Sequence, residues 1–299
     1  MNSSMTLIEF QREYRTEEDC IQAIFQARWP RGFNCPKCGH DFGYRLSQRR
    51  SVQCASCRRQ TSITSGTLFE RSKVPLQKWF WLIYLMSQDK GGVSTTRAAE
   101  LLEMHYATVW FMMHKLRVAM GNRLVGRTLS GLVEIDDAFF GGKSKGKSGR
   151  GAHGKLNVVV IVERLNRRAG DVALLVLPDQ SGVAFLKAVK SVVEPMTHIR
   201  TDAYPTNSTL HALAGKLNMD KIGKIYSEHG PLENVDRVIS LAKRYLLGTY
   251  HQYCSRAHLQ RFLNEFAFRF NRRYHWSQLF SRTLAAAALN PPVRYAALS

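Results

Sequence analysis

Two short cysteine pairs, Cys35-Pro-Lys-Cys38 and Cys54-Ala-Ser-Cys57, stand fifteen residues apart. Each CxxC turns two sulfurs toward one point, and four thiolates complete a closed tetrahedral zinc site. Nothing else in the chain restricts its fold so tightly, because the intervening residues have to bring both knuckles together. Four of the six cysteines lie in these pairs, which favours metal binding in a reducing compartment over a disulfide framework. The spacing predicts a zinc ribbon holding one structural Zn²⁺ through Cys35, Cys38, Cys54 and Cys57, with a redox dithiol as the alternative. Tyr44, Arg45, Arg49, Arg50 and Val52 fall between the knuckles on short strands, where the bases suit phosphate contact. Cys20 instead recurs with Ile21, Ile24 and Phe25 at helical spacing behind Thr16, a candidate N-cap, and reads as a core residue.

The charge balance narrows the partner. Lys and Arg number 43 against 23 Asp and Glu, a formal +20. A chain with that excess repels itself unless a polyanion offsets it, and nucleic acid is the usual one. After Asp236 the only acidic side chain is Glu265, against ten Lys or Arg. The longest apolar run, Trp79 to Met86, is eight residues, against the roughly 20 a spanning helix needs. The first residues mix acids with bases and lack an apolar core, unlike a signal peptide. The expectation is a cytoplasmic protein with no membrane partner.

From Pro75 the pattern is helical: Leu76, Trp79, Phe80, Ile83 and Met86 form a stripe that Gly91-Gly92 ends. Ser94 then caps a short helix with Ala98, Leu101 and Leu102. A three-residue turn, Glu103-Met104-His105, leads to a longer helix with Val109, Met112, Met113, Leu116 and Met120. Short helix, tight turn and longer helix is the helix-turn-helix pattern, though a plain helical hairpin gives the same periodicity. On the second helix Tyr106, Thr108, His114, Lys115 and Arg117 are the exposed candidates for DNA contact. His105 stands where Ser or Asn would cap better.

Residues 123–130 read as a linker into Gly131-Leu-Val-Glu-Ile-Asp136-Asp137-Ala-Phe-Phe-Gly-Gly-Lys143. Val133, Ile135 and Phe139 alternate as in a strand, with two adjacent carboxylates inside the apolar run. A buried carboxylate is normally paired, metal-bound or at a strand end, and alternation sends Asp136 and Asp137 to opposite faces. A Gly/Lys loop follows, whose bases Lys143, Lys145 and Lys147 suit phosphate or simply decorate a solvated hairpin tip. It lacks the P-loop spacing. Apolar runs at 157–163 and 171–177 complete an antiparallel meander. A helix near 183–193, a short strand ending at Asp202, and a β-like run near 222–226 come next. A helix opened by Pro231 follows, with Gly248 where a C-cap glycine belongs, and then a last long helix over 256–272. Three strands, helix, strand, helix is compatible with an α/β, ribonuclease H-like fold. Its outstanding carboxylates are Asp136, Asp202 and Asp236. Three such groups can hold two Mg²⁺ ions about 4 Å apart for phosphodiester chemistry.

The stretches CPKCG…CASCRRQTSITSGTLFE, VEIDDAFFGGK, RTDAY, VISLAKRYLLGTYH and HLQRFLNEFAFRFNRR together resemble the bacterial insertion-sequence transposases of the DDE class that carry an N-terminal zinc ribbon. The resemblance spans most of residues 30–275. It implies that Asp136 and Asp202 are the first two ligands of Mg²⁺ (or Mn²⁺). It places the variable third ligand seven residues before a basic one, here Asp236 before Lys243. The interval from Asp202 to Asp236 is 34 residues, near the family's usual separation. Asp at the third position departs from the commoner Glu, Asn or His, and Asp137 stands where many relatives have Glu. Glu233, one turn before Asp236, is the competing acid. Its place in the first helical turn gives it a reason to exist in the helix dipole, so Asp236 is favoured.

The resemblance implies three regions: 1–70, an N-terminal helix and zinc ribbon; 71–127, a helix-turn-helix; and 128–299, a ribonuclease H-like catalytic domain with C-terminal helices. It implies a transposase that binds element ends, cleaves them by metal-assisted hydrolysis and joins 3′ ends to target DNA. Its partners would be the double-stranded DNA of element ends and target, bound as a homodimer or larger assembly near the bacterial nucleoid. The competing readings are a non-catalytic DNA-binding regulator with the same front modules and a nuclease without strand transfer.

Overall fold

The computed structural model describes residues 5–141, 155–195, 197–201, 225–227, 232–250 and 256–298. These form two compact units, residues 1–123 with 274–299, and residues 124–273.

In the first unit, α1 (Leu7–Glu13) and α2 (Glu17–Arg28) each start on a capping box, Thr6 with Glu9 and Thr16 with Asp19. Each threonine hydroxyl takes an otherwise unpaired helix N–H while the acid returns to the threonine's own N–H. The single N-terminal helix of the sequence reading is therefore two. A small antiparallel sheet follows, β1 (Gly43–Leu46), β2 (Ser51–Cys54) and β3 (Gln60–Ser62). Next come α3 (Leu76–Gln88), α4 (Thr95–Leu102) and α5 (Tyr106–Asn122). Pro75 offers α3 no side-chain cap. Glu17 of α2 supplies one, accepting from the N–H groups of Leu76 at 2.9 Å and Gln77 at 3.2 Å.

The last helix of the chain, Leu279–Leu289, also belongs to this unit. It packs on α2, α3 and α5, and its Phe280 ring lies 5.6 Å from that of Phe10. The expectation had kept all C-terminal helices with the catalytic domain. This one carries an apolar Leu279-Phe280-Leu284 face, whose Phe280 ring meets the aromatics of α1 and α3.

The second unit is a five-stranded sheet built from β4 (Leu132–Phe140), β5 (Leu156–Leu165), β6 (Arg168–Val176), β7 (His198–Thr201) and β8 (Ile225–Ser227). The strand order is β6-β5-β4-β7-β8. β4, β5 and β6 run antiparallel as a meander, whereas β7 lies parallel to β4 and β8 parallel to β7. A meander whose first strand gains a parallel neighbour, reached from β6 through a helix over Gly182–Val192, is the ribonuclease H-like topology that the order of elements predicts. The meander turns tightly at Asn166, whose φ of +58° is the left-handed conformation asparagine tolerates better than most residues.

Alternation along β4 decides which helix sees which residue. Val133 and Ile135 pack with Phe185 and Val189 of α6 (Gly182–Val192) on one face. Ala138 and Phe140 pack on the other with α7 (Glu233–Tyr250) and α8 (Arg256–Phe270). Asp136 shares this second face, and Asp137 the first. α7 runs on through Gly248 to Tyr250, so that glycine does not end the helix as its position suggests. Nothing lies within 4 Å of a Cβ placed there, and an exposed last turn tolerates it.

Candidate active site and zinc cage

In the ribbon, Cys35 Sγ lies 3.6 Å from Cys57 Sγ, and Cys38 Sγ 3.6 Å from Cys54 Sγ. All four sulfurs fall within 4.8 Å of one another. Zinc–sulfur bonds of about 2.3 Å in a tetrahedron set sulfurs about 3.8 Å apart, so the cage fits a structural Zn²⁺. Both knuckles close in the same way: the N–H of Gly39 donates to Cys35 O at 2.9 Å, and that of Arg58 to Cys54 O at 3.1 Å. Both donors adopt positive φ, +73° at Gly39 and +58° at Arg58. The glycine meets this without strain and the arginine does not. Gly43 allows β1 to lie close to β2, since a Cβ there would stand 2.7 Å from Val52 Cγ1.

Cys20 is fully buried and outside this group. Burial, with Glu17 and Asp19 beside it, pushes its thiol up to about 12. Arg45 and Arg50 are engaged by Glu18 at 2.6 Å and Glu17 at 3.3 Å, so acids of α2 answer part of the ribbon's basic charge.

The helix pair α4–α5 has the expected boundaries. Ser94 Oγ accepts from the Arg97 N–H at 3.2 Å, and Glu103 turns the chain in the left-handed region. His105 does cap α5, its Nδ1 accepting from the Ala107 N–H at 3.3 Å. The surface of α5 needs correction. Tyr106 is 52% exposed and Thr108 half-buried, but Lys115 is 9% exposed and Arg117 0%. His114 is buried with them, and Arg117 Nη1 lies 3.5 Å from His114 Nε2. Lys115 Nζ sits 4.6 Å from the Phe111 ring, and burial holds its pKa below the ordinary lysine value. α5 is enclosed because the C-terminal segment returns to it: Phe111 meets the Tyr295 ring at 5.6 Å, and Asn122 donates to Asn290 at 2.7 Å. Lys115 and Arg117 are therefore interior residues, not a DNA-facing edge.

On the sheet, Asp136 is half-buried in the middle of β4 on the face toward α7. Its Oδ1 accepts the N–H of Asp137 at 2.7 Å, which orients the carboxylate. β7 pairs with β4 so that Thr201 lies beside Ile135, the residue before Asp136. Asp202 follows Thr201 in sequence and lies outside the described residues, as do Lys143, Lys145 and Lys147.

Asp236 and Glu233 both sit in the first turn of α7, and both are exposed. The helix begins at Glu233, so the dipole favours both acids equally and does not separate them. Direction does. The buried stripe of α7 centres on Val235 and Ala242. At about 100° per residue, Glu233 points roughly 180° from Ala242, away from the sheet, whereas Asp236 lies about 120° from it, nearer the edge of the stripe. Lys243 lies about 20° from Asp236 around the axis, and its Nζ is 5.8 Å from the Phe140 ring on the Asp136 face of β4.

Sequence reasoning missed Glu134, which is 0% exposed. Its Oε2 accepts from the N–H groups of Asn234 at 2.9 Å and Val235 at 3.1 Å, and its Oε1 from Asn234 Nδ2 at 3.0 Å. Nη1 of Arg164 and of Arg200 lie 3.6 and 3.9 Å from Oε1. An acid inside an apolar strand was the only local signal; the arginine opposite it comes from the β4–β7 register, which the sequence does not show.

Residues 128–271 match the ISXO2-like transposase domain, and residues 15–60 match the transposase zinc-ribbon domain. An uncharacterized protein in transposable element ISH50 of Halobacterium salinarum is 28% identical over 172 residues, 51% of this chain and 57% of that protein. The chain thus spans little more than half of that relative's length. Among solved structures, a chain of the simian T-cell lymphotropic virus intasome complex with a PP2A regulatory subunit is 17% identical with a TM-score of 0.32. That match covers 62% of this chain and 64% of the other. The Mos1 transposase paired-end complex is 14% identical with a TM-score of 0.30, covering 74% and 82%. Likenesses this weak carry no functional argument. The zinc-ribbon match contains the four-cysteine cage and the ISXO2-like match the ribonuclease H-like sheet, so the chain carries a transposase zinc-ribbon domain followed by an ISXO2-like transposase domain.

Proposed function

We propose that this chain is a DDE-class transposase that cuts the ends of its element and joins the freed 3′ ends to target DNA. The observation that carries the reading is the convergence of three elements at one place on the sheet. β4 bears Asp136, β7 leads beside it into Asp202, and the first turn of α7, which bears Asp236, is docked on β4 at Glu134.

Asp136, Asp202 and Asp236 would hold two Mg²⁺ or Mn²⁺ ions, which when bound activate the attacking oxygen and stabilise the leaving one. Asp136 presents a carboxylate oriented by the Asp137 N–H. Asp236, on the flank of α7, supplies the third, and Glu233 on the outer side does not. Lys243 lies two turns beyond Asp236, about 10 Å along the axis, and meets a phosphate flanking the cut. In the first step water adds to phosphorus and the bond to the 3′ oxygen breaks, leaving a 3′ hydroxyl. In the second that hydroxyl attacks a target phosphodiester and expels a target 3′ oxygen, so one ester bond replaces another. The ribbon and the α4–α5 pair, led by Tyr106 and Thr108, bind the element end, and the basic loop with Lys143, Lys145 and Lys147 contacts backbone phosphate. Joining two ends calls for a dimer or larger assembly.

The test supplies a pre-cut element end, a plasmid target and Mg²⁺. Joined product supports the reading. Cutting without joining makes the chain a nuclease, and binding alone makes it a regulator.

A further inference from the structure

Beside the proposed site lies a buried polar hub that takes no direct part in the reaction. Glu134 is fully buried, and a carboxylate withdrawn from water persists only where donors replace its hydration. Its partners come from three other elements: two main-chain N–H groups and the Asn234 side chain on α7 donate hydrogen bonds, while Arg164 on β5 and Arg200 on β7 are ion-pair partners at 3.6 and 3.9 Å. Glu134 and Arg200 are direct partners in the β4–β7 register.

The positions of these residues are informative. Asp136 lies two residues beyond Glu134 on the same strand face. Asp202 lies two residues beyond Arg200. Asp236 lies two residues beyond Asn234, about 3 Å along the helix axis and about 160° around it, so the two share a level of α7 and not a face. Every proposed ligand thus stands two residues from a member of the hub.

We propose that Glu134 is a positioning residue, which registers the first turn of α7 on β4 and β7 and thereby sets the divalent-ion affinity of the site formed by Asp136, Asp202 and Asp236. The inference rests on the DDE reading of those three acids. Apolar contact between α7 and the sheet is non-directional and would let the helix slide along its axis. Two N–H bonds at the helix terminus, completed by the Asn234 side chain, hold its axial position. Glu134 also occupies the guanidinium groups of Arg164 and Arg200. Without its charge they turn to the neighbouring acids and compete with the metal for them.

The experiment uses zinc-loaded full-length protein and reads Mn²⁺ binding by electron paramagnetic resonance, beside the Mg²⁺ dependence of end cleavage. Asp136→Asn should abolish Mn²⁺ binding and leave the free-ion spectrum. Glu134→Gln keeps the shape but not the charge, and should weaken Mn²⁺ binding about 10–100-fold, the usual effect of losing a group that orients metal ligands. Its half-saturating Mg²⁺ concentration should rise in parallel, while cleavage at saturating ion recovers most of the wild-type rate. A merely structural role would lower the amount of folded protein without moving the metal titration. Wild-type Mn²⁺ affinity in Glu134→Gln, with binding lost in Asp136→Asn, overturns the positioning role and leaves the site standing. Wild-type Mn²⁺ binding in Asp136→Asn overturns the site itself, and the inference with it. If Glu134→Gln fails to fold, Arg200→Lys and Asn234→Ser take its place. Both should weaken Mn²⁺ binding several-fold, and unchanged affinity in both overturns the proposal.

Discussion

Asn234 donates through Nδ2 to Glu134 Oε1 at 3.0 Å, joining residues one hundred positions apart in the chain. Both partners are buried, so the bond is hidden from water and its loss is felt. Asn234→Ala should destabilise the second unit by about 1–3 kcal/mol, the cost of an unsatisfied buried acceptor. Urea unfolding followed by a probe in residues 124–273 measures this. A change within error would mean that the two main-chain donors suffice.

The zinc cage should be indispensable to the ribbon. Purified protein should carry one Zn²⁺ per chain by elemental analysis. Cys35→Ser or Cys57→Ser should lose it and melt residues 30–62, because the metal supplies that segment's folding free energy. α3 to α5, with a large apolar core of their own, should stay helical by circular dichroism.

Asp236→Asn should abolish Mg²⁺-dependent cleavage while DNA-end binding stays within about threefold, since a single exposed charge adds little to a multi-phosphate contact. Glu233→Gln, on the outer side of α7, should retain at least about a tenth of the activity, as a residue outside the ion contacts would. The reverse pattern would move the third ligand to Glu233.

Lys115 and Arg117 should behave as core residues. Burial lowers the Lys115 pKa, so its charged form is favoured less in the folded chain than in the unfolded one. This penalty is fully present below the folded pKa and is relieved as pH rises toward the ordinary lysine value of about 10.4. Lys115→Met should therefore raise the melting temperature at pH 7 by a few degrees, roughly the effect of a fraction of a kcal/mol, and the gain should shrink near pH 10. Arg117→Ala should destabilise by about 2–4 kcal/mol through the cavity and the lost polar partners. Neither change should alter the DNA affinity of the folded fraction, whereas Tyr106→Ala should weaken it.

DNA affinity should fall steeply with salt. Replacing Lys143, Lys145 and Lys147 together with Ala should lessen the slope of log affinity against log salt by about 2.7 if all three meet phosphate on duplex DNA. Filter binding across a salt series reads this directly, and an unchanged slope would place the loop away from DNA.

The sequence by itself settled what short-range chemistry settles. The knuckle spacing specified the four sulfurs of the cage. Thr16 and Ser94 marked helix starts, because a cap bonds a donor two or three residues away. Strand alternation placed Asp136 and Asp137 on opposite faces. The tertiary structure decided what depends on partners distant in the chain. Lys115 lies on the side of α5 that the C-terminal segment covers at Phe111 and Asn122, some 170 residues later in the chain, and Arg117 is buried beside His114 on another side of the same helix. No helical periodicity on α5 announces that covering. Glu134 looked like one more polar residue in a strand until α7 and Arg200 arrived at its carboxylate. Burial is a property of the assembled neighbours, not of a residue and its own turn, so the first kind of fact is legible locally and the second only after the chain has closed on itself.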